Sequence, residues 1–255
     1  MVDYVTALLP FTAVEWLVML LGIAAAYVVF GVAGFGTALA AGPVLIHVMP
    51  LSRAIPLLVL LDFVAAFGNW LPARKAVARE ELLRLLPCMA VGCTLGVVFL
   101  LQLKADVLLL LMGVFVSGYA LYSLLVKVRP TQVSAGWAVP AGTVGGLFGA
   151  LFGSGGFLYA LYLNGRLSSI EQARATQSAL ISCSTVVRLG LFLLAGVYAD
   201  WGLLTLAVAL LPVMFCGLWV GARLARRLSR EGFVRVVNGL VLVSGVALIG
   251  RYLSQ

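Results

Sequence analysis

The chain has 255 residues, 63% of them hydrophobic and 10% charged, with a mean hydropathy of +1.14. A soluble domain carries about 25% charge, so a water-exposed globule is excluded and a polytopic membrane protein is implied. The net charge of +8 falls in short clusters between apolar runs: Arg74, Lys75, Arg79 and Arg84; Lys127 and Arg129; Arg223, Arg226, Arg227, Arg230 and Arg235. That is the pattern of positive-inside loops, not of a nucleic-acid surface.

The first segment covers residues 13–32. Asp3 and Glu15 are the only charges before Arg53, so the basic flank of a cleaved leader is missing and the segment is expected to remain in the mature protein. A glycine-rich turn, GVAGFG at residues 31–36, leads to a short arm at residues 37–49. At 1.5 Å per residue the arm reaches about 20 Å, less than the roughly 30 Å of hydrocarbon. It must be a half-helix or a hairpin arm. Segments at 53–71, 82–101 and 107–126 follow. The second set runs over 134–152, 156–163, 168–197, 203–222 and 233–253, and its short arm again follows glycines, GSGG at residues 153–156. None of these runs alternates polar and apolar residues as a barrel strand does.

The two sets resemble each other. LPCMAVGCTLG at residues 86–96 matches LPVMFCGLWVG at 211–221, SGYAL at 117–121 matches SGVAL at 244–248, and GFG at 34–36 matches GSG at 153–155. The offset drifts from 119 to 127 residues. The expected fold is therefore an all-α polytopic membrane protein. It has two inverted repeats of about five segments each, residues 1–130 and 131–255, forming one transport domain. Eight to ten segments are expected, short arms included. With both termini outside, the inside loops hold thirteen of the 17 basic residues; Arg53, Lys104 and Arg251 fall outside and Arg188 lies within the membrane. Cys88, Cys93, Cys183 and Cys216 lie in apolar segments without metal-site spacing and read as small hydrophobes.

Inverted repeats with broken helices are a common plan for secondary transporters, with the solute held at half-helix N-termini near the midplane. The free N–H groups and positive dipole end of such a start suit an anion. This makes Gly34, Phe35, Gly36 and Thr37, with Gly153, Ser154, Gly155 and Gly156, candidate substrate contacts. Close helix packing is the competing reading of these glycines, and the preferred one for Gly92, Gly96, Gly217 and Gly221. Ionisable groups at membrane depth are costly and usually functional. Arg188 is the candidate anion ligand, since its planar fork donates two parallel hydrogen bonds. Asn69, 119 residues earlier, is its counterpart in the first repeat. Gln177 and Ser184 stand on one helical stripe with Arg188. Asp62 is read as a counter-charge or an ion-coupling group, with a plain Asp62–Arg188 ion pair as the alternative.

The stretches GVAGFGTALAAGPVLIHVMPLSRA and GLFGALFGSGGFL, with Pro43 in the short arm and a basic loop after the third segment, resemble the TauE/SafE family of sulfite and organosulfonate exporters. The resemblance implies export of small sulfur oxyanions or sulfonates from a bacterial inner membrane. An inside-negative potential favours this by about 2.3 kcal/mol per charge per 100 mV. An anion channel, or uptake coupled to protons or sodium, is the competing reading. The sequence calls for no cofactor or metal. It also does not read as an enzyme: Ser154 would need a base, and His47 is the single histidine. Expected partners are the small anion and the bilayer, with no nucleic acid; lipid-facing glycine ridges allow a homodimer.

Overall fold

The computed structural model describes residues 11–34, 36–73, 76–125, 133–153 and 155–227. Among them there is no strand. Nine α-helices follow one another: α1 (Ala13–Ala33), α2 (Thr37–Leu45), α3 (Leu51–Ala73), α4 (Arg79–Gln102), α5 (Ala105–Leu125), α6 (Ala138–Phe152), α7 (Gly156–Arg166), α8 (Ile170–Leu194) and α9 (Trp201–Arg227). Single 3₁₀ turns precede α6 and link α8 to α9. The expected segments thus recur with ends shifted by a few residues, apart from 233–253, which lies outside the described residues. Five helices, α1, α4, α6 with its 3₁₀ turn, α8 and α9, are long and apolar enough to cross a membrane. The two short arms are helices of 9 and 11 residues, the shorter rising only about 14 Å.

Local signals set the ends. Thr12 and Glu15 form a reciprocal capping box that starts α1, and Ser169 accepts from the Gln172 amide to start α8. Gly34 ends α1 with φ +82°, and Gly153 ends α6 with φ +61°. This left-handed backbone costs glycine little, which is why each broken helix stops at one.

The bundle is apolar on its outside, and its largely apolar interior encloses a small set of polar and charged groups. Val14, Leu17, Leu21 and Leu83 are exposed, whereas Asp62, Thr176, Gln177, Ser184 and Arg188 are buried. No water-soluble core is arranged this way; a lipid-solvated one is. The two most extensive helix pairings are α4 with α6 and α9 with α1, and both rest on glycine. A Cβ on Gly92 or Gly96 would strike the backbone at Thr143 and Leu147 and the side chain of Ala150. On Gly217 or Gly221 it would strike Ala24, Val28 and Gly31. Thr143, Leu147 and Ala150 stand 119 positions beyond Ala24, Val28 and Gly31, while Gly217 and Gly221 stand 125 positions beyond Gly92 and Gly96. Glycines at matched places in α4 and α9 therefore bring backbones together at matched places in α6 and α1.

Polar ties hold the two ends of the bundle. At one end Glu81 of α4, buried, accepts from Tyr162 Oη at 2.6 Å, Arg166 Nε at 3.0 Å and Arg84 Nη1 at 2.9 Å. At the other, Arg53 of α3 pairs with Asp200 before α9. Partial burial raises the Asp200 carboxyl, but Arg53 and the Gly202 and Leu203 backbone amides outweigh it and hold it below the ordinary carboxylate range.

The glycine contacts give a direct test. Gly92→Leu should destabilise the protein by about 1–3 kcal/mol or more through overpacking, read as a lowered melting temperature in detergent. Gly118→Ala, on α5 with nothing within 4 Å of its added carbon, should be neutral or stabilise by up to about 1 kcal/mol.

Candidate functional site

The site is built where the two half-helices begin. Neither α2, which starts after Gly36, nor α7, which starts after Gly155, has a side chain capping its first amides. Glycine at both starts leaves those N–H groups uncovered. The two starts open onto one cavity of about 320 Å³, measured to the atom surfaces and including its mouth. The first half of the chain contributes Phe30, Gly36, Thr37 and Asp62 to its walls. The second contributes Gly149, Gly153, Gly155, Gly156, Tyr159, Ile181, Ser184 and Arg188. Phe30 and Gly149, Gly36 and Gly155, Thr37 and Gly156, and Asp62 and Ile181 are each 119 residues apart. Four pairs of lining positions thus share one sequence spacing.

Arg188 is 4% exposed. Its guanidinium is oriented by main chain and hydroxyl rather than by a carboxylate. Nη1 donates to the Gly149 carbonyl at 2.9 Å, Nη2 to Thr185 Oγ1 at 3.1 Å, and Nε to the Ser184 carbonyl at 3.4 Å. These contacts use three of the five donors of the fork. Gly149 lies in the last turn of α6, so the broken helix fixes the cation that faces the next helix start.

Asp62, 7% exposed, sits in the wall formed by the first half. Tyr27 Oη donates to its Oδ1 at 2.9 Å and Thr37 Oγ1 to its Oδ2 at 3.0 Å. The ion pairs among the described residues do not include Asp62 with Arg188, so the simple pair considered from sequence is not formed. Each charge is held separately, and both line one cavity.

Tyr159 was not singled out from sequence. Its side chain is 1% exposed, lines the cavity, and its hydroxyl has no hydrogen-bond partner among the described residues. A buried hydroxyl without a partner calls for an explanation. Ser184 Oγ lies 3.4 Å from Cys93 Sγ. Gln177 takes a different place from the one its stripe suggests. Its Nε2 donates to the Gly156 carbonyl at 2.9 Å, so it holds the first turn of α7 from behind and does not line the cavity. Gly34 also stays outside the lining and is exposed. Phe35, Ser154 and the side chain of Asn69 lie outside the described residues. His47 follows α2, with Nδ1 3.0 Å from the Pro43 carbonyl, away from the cavity. No group of three or more metal-ligating side chains occurs among the described residues.

A bundle with an apolar exterior, two half-helices and charged groups walled into its centre is a polytopic membrane protein of the transporter class. Comparison with known proteins agrees. The chain belongs to the sulfite exporter TauE/SafE family, whose model matches residues 18–248. It is also similar to the probable inner membrane transporter protein TsaS of Comamonas testosteroni, with 26% identity over 195 residues, covering 75% of this chain and 81% of that protein. No solved structure matches the chain.

The two buried tyrosines of α7 should respond oppositely to loss of the hydroxyl. In anion-free protein, Tyr159→Phe removes an unpartnered polar group, so stability should hold or rise by about 1 kcal/mol. Tyr162→Phe removes the 2.6 Å bond to Glu81 and should lower stability by about 1–3 kcal/mol. Thermal unfolding of both variants in one detergent distinguishes them.

Proposed function

We propose that this TauE/SafE-family transporter carries a small oxyanion, sulfite or an organosulfonate, by alternating access. In this reading the anion sits between Arg188, Tyr159 Oη and the uncapped start of α7. The observation that carries the proposal is the donor set of the cavity. One buried guanidinium, one unpartnered buried hydroxyl and a glycine helix start converge on a single space. All are hydrogen-bond donors, and an oxyanion is the ligand such a set satisfies. Thr37 and Gly36 at the start of α2 face the anion from the other half. Gln177 supports α7, and Asn69 is assigned to the same neighbourhood as the counterpart of Arg188.

Two inverted repeats, residues 1–130 and 131–255, form the transport unit in this proposal. The 119-residue spacing shared by four pairs of cavity-wall positions supports it, as do the matched glycine contacts, offset by 119 and 125 residues. A repeat pair related by such an axis exposes its shared site to one side or the other as one half rocks against its mate. The expected setting is the inner membrane with both termini on the outer side. That placement puts thirteen of the 17 basic residues inside. Export is the expected direction, following the family description.

Replacing Arg188 tests the assignment. Arg188→Gln keeps an amide donor, two bonds shorter than the guanidinium tips, and removes the charge. Binding of sulfite or methanesulfonate should weaken about a hundredfold or more, while circular dichroism and the elution volume stay those of the folded bundle. Unchanged affinity in a liposome flux or calorimetric assay would remove Arg188 from the site.

A further inference from the structure

The cavity contains one fixed positive group and one carboxylate that do not touch. Arg188 is tied to the Gly149 carbonyl and to Thr185; Asp62 is tied to Tyr27 and Thr37. Together they leave the empty site without net charge. The other walls are neutral: glycines, Phe30, Thr37, Ile181, Ser184 and the Tyr159 phenol. Among the described residues an arriving anion has no second cation to meet. It would leave the site with one uncompensated negative charge in a largely buried space that water screens poorly.

Asp62 is the group able to remove that excess. The titratable groups facing it are Tyr27 from α1 and Arg188 from α8, with the Thr37 hydroxyl from α2. The other helices packed on α3 bring no acid or base to the cavity. Asp106 of α5, Glu81 of α4 and Cys216 of α9 do not line it, and α6 carries no ionisable side chain. Tyr27 and Thr37 are hydroxyls, each able to accept as well as donate. Either can turn its proton away and accept one from a neutral carboxyl without moving a heavy atom.

We propose that anion binding in this cavity is linked to protonation of Asp62, with one proton taken up from water for each anion bound. The inference rests on the anion site proposed above and adds its coupling. A proton carried with a monoanion moves no net charge through the membrane. The voltage then drops out of the driving force, and the anion gradient and the pH difference set the direction. Linkage is reciprocal, so the anion must in turn raise the affinity of Asp62 for its proton.

The test uses the full chain in nanodiscs and methanesulfonate, whose charge does not change over the range. Its dissociation constant is measured by calorimetry from about pH 5 to about pH 8. One linked proton requires affinity to fall toward tenfold per pH unit once Asp62 is ionised in the empty protein. D62N, which fixes a neutral side chain, should bind with an affinity that no longer follows pH and that exceeds wild type at the alkaline end. Wild-type binding that ignores pH would overturn the coupling and leave the anion site standing. A folded D62N that binds at no pH would also overturn it, because Asp62 would then shape the site rather than titrate. If wild type binds neither methanesulfonate nor sulfite at any pH, the anion site itself fails, and the coupling with it.

Discussion

Two helices in this protein start inside the bundle, on one shared cavity, and the rest of the structure answers that problem. A membrane segment must satisfy its own backbone, so a helix that breaks at depth exposes amides that lipid cannot solvate. α2 and α7 both begin inside the bundle without a side-chain cap. Their starts are tolerable because full-length helices wrap them: α1 and α3 around α2, α6 and α8 around α7. That wrapping needs close approach, and close approach needs glycine. The collisions awaiting a Cβ at Gly92, Gly146, Gly217 and Gly221 show how little space separates the helices forming the shell. The cavity is what remains between two buried helix starts once everything else has closed.

The same constraint explains how a lone arginine survives here. A bare guanidinium at this depth costs several kcal/mol. Arg188 meets part of that cost by bonding the carbonyl of Gly149, in the last turn of a helix that ends in a left-handed glycine. The Gly149 carbonyl already accepts from the Gly153 amide at 2.9 Å, and its second lone pair takes the guanidinium N–H without breaking the ladder. The helix break therefore supplies an anchor for the cation and, six and seven residues on, the uncapped helix start at Gly155 and Gly156 that lines the same cavity. Gln177 secures the far side by holding the Gly156 carbonyl. Three consecutive elements, α6, α7 and α8, thus position one cation against one helix start.

Much of this was legible in the sequence, for identifiable reasons. Hydropathy marks the long helices because lipid imposes both their length and their composition. Shortness marks the arms, and paired glycines mark their starts. Arg188 and Asp62 stand out because a charge in an apolar run has few innocent explanations. Tyr159 did not stand out, since a tyrosine on a short arm reads equally as packing or as an interfacial anchor. Its significance is that its hydroxyl lacks a partner, a fact about three dimensions. The Gly149 carbonyl carries no sequence signal at all, because every residue has one. Gln177 misled by periodicity: it shares a stripe with Ser184 and Arg188, but its amide reaches backbone before it reaches the cavity. Glu81 passed as one more charge at a loop, whereas it gathers Tyr162, Arg166 and Arg84 into a single tie.

A duplicated chain that kept its two halves identical would build a cavity with the same chemistry on both walls. This cavity is not like that. At the shared 119-residue spacing, Phe30 corresponds to Gly149, Asp62 to Ile181 and Asn69 to Arg188. The backbone plan is shared, since both starts are glycine and both broken helices end in a left-handed turn. The side chains differ, the first half carrying the carboxylate and the second the guanidinium. In the proposed transport cycle the frame rocks between two exposures, a motion that would depend on backbone contacts common to both halves. Recognition of a charged solute needs the opposite, a polarised interior. Glycine-lined helix contacts leave side chains at the cavity wall free to diverge without disturbing the frame, so one fold meets both demands.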